Sequence, residues 1–364
     1  MGTTFGEDVT GTVCAAAVGR LIRASSRDRS RAPDEVTVVP SRPGTVVRGT
    51  VPNRRDPVVT VASGAALRVD TVSHQGINQT EPPTAFFGAF GVPPEDVLAD
   101  VVDIHATVPR EPGASGHVLT GPIAVDGARP GDVLEVRMLG AEPRVTYGIN
   151  RSRSDSGLLP GFPTDPHTRL LALGADGFLS LGSSISVPCD PFPGIVAVAP
   201  PDEAVSTKLP GPWGGNLDLR ILTTGASLYL PVFVPDAQLY LGDPHTAQGD
   251  GEVNGTGVEH SATFTVGVTL HPAVALTWPV VATPTHLAAT AVGATLEQAL
   301  RRCVEATIEL AVGFSGGELS REDAYALASI ATDFRIAAAV NHHAVVYGLL
   351  SRDVFGPERP RAPW

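Results

Sequence analysis

Residues 121–138 read GPIAVDGARPGDVLEVRM: an apolar run, a Pro-Gly-Asp turn, and a second apolar run. That punctuation limits what the chain can become. A stable helix needs roughly ten uninterrupted residues, whereas a strand of about five fits between such turns. The style recurs at 57–72, where PVVTVASG and ALRVDTV flank a Ser-Gly turn. Each unit reads as a hairpin of two short strands. Glycine (39) and proline (33) are frequent throughout, so turns are many and long helices few. The expected class is α+β, mainly β: sandwich- or barrel-like β domains of short strands, closed by a C-terminal helical hairpin.

Three regions follow from a pass along the 364 residues. Residues 1–40 read as a peripheral leader, with a short helix around 9–25 and an Arg-rich linker at 27–33. Residues 41–285 form a β-rich region with the chemistry. Its clearest strand is ATFTVGVTL at 262–270, which alternates apolar and polar positions. Residues 286–364 read as a helical region packed on the sheets. Thr295 with Gln298 makes a capping box at the start of one helix, and Ser320 with Asp323 opens another. Cys303, inside the first, reads as a small core residue.

Charge and cysteines exclude several functions. The formal charge is −12, which repels phosphate backbones and argues against nucleic-acid partners. Three widely spaced cysteines, Cys14, Cys189 and Cys303, build neither a disulfide framework nor a CxxC metal site. A cytoplasmic location fits, and no apolar run reaches membrane-spanning length. Lys208 is the only lysine. It stands after the serine pair Ser183 and Ser184 and has no cysteine partner, so neither a Ser-Ser-Lys nor a Cys-Glu-Lys amidase site can be assembled.

The densest chemistry lies in GDPHTAQGDGE at 242–252. Asp243, His245, Gln248, Asp250 and Glu252 fall on one glycine-rich stretch after the strand around Leu239–Leu241. Several carboxylates beside an imidazole are costly unless they bind a cation or share protons. The functional reading is a hydrolytic site in which a divalent metal or a carboxylate base activates water. The alternative is a solvated or structural loop. EF-hand spacing is absent. A second cluster is GGNLD at 214–218, where Asn216 offers donor and acceptor to an amide. A third is His117, just before the turn at Gly121 and Pro122. His74 and His105, taken singly, read as structural.

In this order, HVLTGPIAVDGARPGDVL (117–134), GGNLD (214–218), LYLPVFVP (228–235), GDPHTAQGDGE (242–252) and LSREDAYAL (319–327) resemble the acetamidase/formamidase family. The resemblance covers about residues 45–350. It implies hydrolysis of small formamide- or acetamide-like carboxamides to carboxylate and ammonia, a β-rich fold, a homo-oligomer (dimer or trimer), and a divalent metal such as zinc. His117, Asn216, Asp218, His245, Gln248, Asp250 and Glu252 match its motif positions. By residue type, His117, Asp218 and His245 suit metal ligation. Glu252, with Asp250, suits the catalytic proton transfers, and Asn216 and Gln248 suit the substrate amide. Three departures stand out. Trp213 sits where the family often has His, Asn254 where Cys is common, and no His lies in the region of Arg48–Pro57, for which His74 is a candidate replacement. Two alternatives stay open: a binding protein on the same fold with altered chemistry, and a lactamase acting on a cyclic amide.

Overall fold

The computed structural model describes residues 15–25, 36–111, 114–274 and 276–356. Cys14, the linker at 27–33 and the first residues of the expected N-terminal helix lie outside them.

Two open sheets carry the fold. A nine-stranded sheet runs, edge to edge, Val36–Val39, Ala66–Asp70, Ala262–His271, Val133–Pro143, Ser227–Pro231, Val280–Ala282, His286–Gly293, His343–Ser351 and Thr332–Asn341. A seven-stranded sheet is built around Phe192–Val198, Leu239–His245 and Val118–Val125. Leu134, Val136, Leu228, Leu230, Val281 and Ala288 of the first sheet share one core with Leu119, Ile123, Val196, Leu239 and Leu241 of the second. Their sequence neighbours Val133, Tyr229, Val280, Ala282, Leu287 and Ala289 face the other way, into a second core with Leu310 and Phe314 of the helix Leu296–Phe314. The period of two thus buries alternate residues on opposite faces, and both faces are apolar because both are covered. The architecture is the expected mainly-β sandwich; neither sheet closes into a barrel.

Both turn-linked units differ from expectation. Val59–Val61 pairs parallel with Val118–Val125 in the seven-stranded sheet, while Ala66–Asp70 joins the nine-stranded one. Likewise Val118–Val125 and Val133–Pro143 belong to different sheets. Neither unit is a hairpin: each turn carries the chain across the sandwich. The reason is burial. All of Val118–Val125 is buried, so it needs a covered position between neighbours and not a solvated hairpin face.

The C-terminal region also differs. The helices Leu296–Phe314 and Arg321–Ala331 form as expected, and Cys303 is buried beneath the first. Thr295 Oγ1 accepts from Gln298 N, whereas Gln298 Oε1 accepts from Ala294 N, one residue before the cap. Beyond the helices, however, Thr332–Asn341 and His343–Ser351 form a long antiparallel hairpin at the edge of the nine-stranded sheet. The region is not only helical.

The N-terminal segment is less peripheral than expected. Val18 and Ile22 of the helix Ala15–Ser25 are fully buried against the long C-terminal helix, and Val36–Val39 is an edge strand. No described helix is long and apolar enough to cross a membrane.

Candidate active site

The acidic segment is half strand. Leu239–His245 runs two turns of side-chain alternation further than its apolar residues suggest, because Pro193 and Phe192 of the neighbouring strand pair with Pro244 and His245. Asp243 and His245 are therefore fixed by a sheet and point to the same face. The loop that follows is pinned from the far side. Gly251 exchanges backbone hydrogen bonds with Ala337 and Ala339 of the C-terminal hairpin, at 3.0 and 3.1 Å. Glu252 consequently sits with a positive φ of 47°, as do Asp218 (48°) and Asp243 (53°). Asp tolerates this conformation, but for Glu it costs roughly 1–2 kcal/mol.

Three overlapping groups of ligand-type side chains result. They are His74, His117 and Asp243; Asp218, Asp243 and His245; and His245, Glu252 and Glu259, with ligand atoms in each group within 4.8 Å of one another. His74 Nδ1 lies 3.2 Å from Asp243 Oδ1 and 3.5 Å from Glu259 Oε2. His245 Nε2 lies 3.6 Å from Asp243 Oδ2 and 3.3 Å from Glu259 Oε1. His117 Nε2 faces Asp243 Oδ2 at 3.9 Å, while its Nδ1 contacts Thr207 O and Ser115 Oγ. An Nδ1–H donated to the Thr207 carbonyl leaves Nε2 free as a ligand.

Burial and charge conflict here. Asp218, Asp243, His245, Glu252 and Glu259 are 1–7% exposed, too deep for water to solvate four carboxylates. Burial pushes Asp218 up to about 7, with Asp243 and Glu259 adding to the rise and His245 opposing it. Burial and the neighbouring Asp218 hold Glu252 well above the usual carboxylate range. Asp243 is held far below it: burial acts upward, but His117, His245 and His74 outweigh it. For His245, burial acts downward and is overcome by Glu259 and Asp243, which raise it well above its ordinary value. His74 is raised against its burial by Glu259 and Asp243, while burial lowers His117.

A divalent cation suits this donor set. Tetrahedral bonds of about 2.0–2.1 Å set ligands roughly 3.3–3.4 Å apart, close to the separations around His245 and His74. His245 Nδ1 and Nε2, Asp218 Oδ1 and Glu259 Oε2 are buried without a hydrogen-bond partner. Gly194 keeps the space open: a Cβ there would come within 2.6 Å of Asp218 Oδ1 and 3.0 Å of His245 Cε1. The donors are two imidazole-rich corners and shared carboxylates, chemistry that zinc accepts.

The expected site residues divide. Asp218 and His245 fall in one group, and His117 joins them through Asp243. Glu252 shares the third group with His245. Asn216 is 3% exposed, and its Oδ1 has no hydrogen-bond partner. Gln248 turns its Nε2 to the Asp218 carbonyl at 3.0 Å, holding that loop, and leaves its Oε1 unpartnered. Asp250 is not brought into the groups. Tyr347 Oη donates to both its oxygens, at 3.0 and 2.9 Å, so this carboxylate ties the loop to the C-terminal hairpin.

Three ligand-type residues escaped the assigned set: His74, Asp243 and Glu259. Asp243 stood inside the acidic motif, two residues before His245, and that i, i+2 strand spacing was its signal. His74 and Glu259 come from separate loops: His74 is offered by the sequence only as a candidate replacement for an absent histidine, and Glu259 carries no local signal. Asn341, which donates to Asp218 Oδ2, comes from the unexpected hairpin.

The departures have structural explanations. Trp213 is buried in the core between the sheets, its ring packed on Gly211 and Gly215. Asn254 ties its loop to the neighbouring strand, donating to Asn150 Oδ1 (2.8 Å) and Ser152 Oγ (2.9 Å). His105 bonds the Ile77 carbonyl, a structural contact. A cleft of roughly 670 Å³ opens onto His74, His117 and Asn341.

Known proteins share this arrangement of chain. An acetamidase from Yersinia enterocolitica superposes with a TM-score of 0.74 at 25% identity, covering 90% of this chain and 95% of that one. An acetamidase from Bacillus halodurans gives 0.73 at 26% identity, covering 87% and 98%. A formamidase from Methylophilus methylotrophus is 27% identical over 41% of this chain and 50% of its own. The chain thus spans about half the length of the curated formamidases it matches. The model of the Acetamidase/Formamidase family matches residues 197–356 of the chain.

Proposed function

We propose that the protein hydrolyses the C–N bond of a carboxamide, RCONH2 + H2O giving RCOO− and NH4+. The observation that carries this reading is the carboxyl of Glu252, buried and grouped with His245 and Glu259 at a cluster of unpartnered ligand atoms. The acetamidase and formamidase names of its relatives point to linear amides.

In this reading Asp243 joins His117, Asp218 and His245 as holders of a divalent cation, zinc by donor type. The bound ion supplies Lewis-acid polarisation and an acidified water. The chain's own groups do the rest. Glu252 accepts a proton from the attacking water and returns it to the departing nitrogen, so that ammonia leaves instead of an amide anion. Asn216, with both donor and acceptor atoms, orients the substrate amide. Asn341 and Gln248 position Asp218 from either side. His117 keeps its orientation through Thr207 and Ser115.

The test is ammonia release from formamide, acetamide and propanamide, with metal content measured on the same preparation. Turnover that requires a divalent ion and falls by about 10³ in Glu252→Gln is expected. Equal activity in that variant removes Glu252 from the mechanism. A reducing, cytoplasmic setting suits the free thiols of Cys189 and Cys303. A homo-oligomer suits the exposed Leu158, Leu159, Phe162, Phe178 and Ile185, and light scattering reads it directly.

A further inference from the structure

The cleft above the site is too large and too basic for acetamide alone. Acetamide has four non-hydrogen atoms and fills on the order of 100 Å³ if each takes about the share of a water. The cleft offers roughly 670 Å³. Its lining holds Arg110, Arg151, Arg153 and Lys208 against Glu81 and Asp155. This is a positive patch on a chain of formal charge −12, and it includes the only lysine. Arg153 is neutralised by Asp155 at 3.0 Å. Among the described residues, Arg110, Arg151 and Lys208 have no carboxylate within ion-pair distance. Arg151 is half-buried, and its Nε has no hydrogen-bond partner. Arg48, held by the Val108 and Ile77 carbonyls, donates to Asn78 in the same wall and adds to the positive field. Unpaired cations at a cleft wall hold anions, and low-dielectric walls concentrate that field. The floor of the same cleft is His74, His117 and Asn341, the exposed edge of the reaction centre.

We propose that the cleft selects an amide carrying a second, anionic group, of the class of dicarboxylic acid monoamides, with the carboxylate on Arg151 and Lys208 and the amide at the floor. This rests on the amide-hydrolase reading for its second half only. The product is then a dicarboxylate, so the reaction class that feeds this site is one that forms monoamides of diacids.

The experiment compares succinamate with butanamide, a neutral amide of the same chain length. The metal-loaded protein is expected to prefer succinamate in kcat/KM, with the preference shrinking as salt rises. In Arg151→Gln/Lys208→Met the preference falls by about tenfold or more, and Arg151→Lys retains most of it. Titration calorimetry of both amides, with the wild type and the double variant, reads binding separately from turnover. No preference for succinamate, or a preference unchanged in the double variant, overturns the inference. Salt-sensitive binding of succinamate that the double variant loses, without hydrolysis of either amide, sinks the hydrolase reading and upholds this one.

Discussion

Two of the buried groups of ionisable side chains among the described residues are built on opposite rules. In the nine-stranded sheet, Glu135 accepts from Tyr229 Oη at 3.1 Å and pairs with His271 Nε2 at 2.9 Å, so each carboxylate oxygen has a partner. At the candidate active site, His245, Asp218, Glu259 and Asn216 all leave buried polar atoms without one. The first group is complete within the chain and holds strands together. The second is complete only with something added. Satisfied polar groups inside a fold stabilise it, while unsatisfied ones cost stability and persist where function needs them.

The largest effect should separate the two by readout. Glu252→Gln is expected to lower kcat by about 10³ while leaving the melting midpoint nearly unchanged, since the amide keeps the shape of the side chain and removes a charge that burial disfavours. Glu135→Ala should do the reverse. Removing one partner of a buried pair costs about 3–5 kcal/mol, and amide turnover per folded molecule should persist. Denaturant melts and ammonia release on both variants check this. A stable Glu135→Ala protein would mean that the completeness of its hydrogen bonds is not what distinguishes the first group.

Metal removal and pH give the next test. In metal-free protein, Asp218 has a folded pKa of about 7, above its unfolded value, chiefly through burial. Its contribution to stability is therefore fully present below about pH 4 and is lost as pH rises through about 7. Glu135 runs the other way. Burial acts to raise it, but His271 and Tyr229 outweigh burial and hold it low. Its contribution is present above the unfolded carboxylate range and is lost as pH falls through its folded pKa. Chelated protein should lose stability between about pH 4 and 7, and added zinc should restore it. Asp218→Asn should flatten that slope and abolish metal retention while raising metal-free stability by about 1–2 kcal/mol. Melts across pH with and without metal decide; an unchanged slope in Asp218→Asn would separate this residue from the cluster's cost.

The two groups also differ in how they read from sequence. Period-two patterns found the strands but not their partners. PVVTVASG and ALRVDTV look like one hairpin, because alternation specifies which side chains are buried and not which sheet buries them. The C-terminal hairpin at 332–351 was missed for a packing reason. Its Ala-rich strand has little β preference, and Ala337 and Ala338 pack in the core between the sheets; the long helix lies over the partner strand, where a Cβ at Gly348 would come within 2.6 Å of Thr307 Oγ1. With that hairpin went Asn341 and the anchor at Ala337–Ala339. Motif chemistry singles out Asp218, His245 and Glu252, which the fold brings into overlapping groups of ligand-type side chains. It offers His74 only as a replacement for an absent histidine and passes over Glu259; the two lie 185 positions apart and meet only through the fold.

Asp250 is where local chemistry and structure part most clearly, and it makes the finest test. It shares the acidic motif with Glu252, yet both its oxygens are engaged by the buried Tyr347. It follows the rule of the Glu135 group although it lies two residues from the other. Asp250→Asn keeps the shape and weakens a charge-assisted hydrogen bond to a neutral one, a loss of about 1 kcal/mol. Turnover should stay within about threefold of wild type, because a bond of this size moves the loop little. Tyr347→Phe should give a similar small loss of stability, and the double variant should cost no more than the larger single change, since both remove one interaction. A loss of about a hundredfold in kcat with unchanged stability would move Asp250 into the catalytic proton transfers beside Glu252.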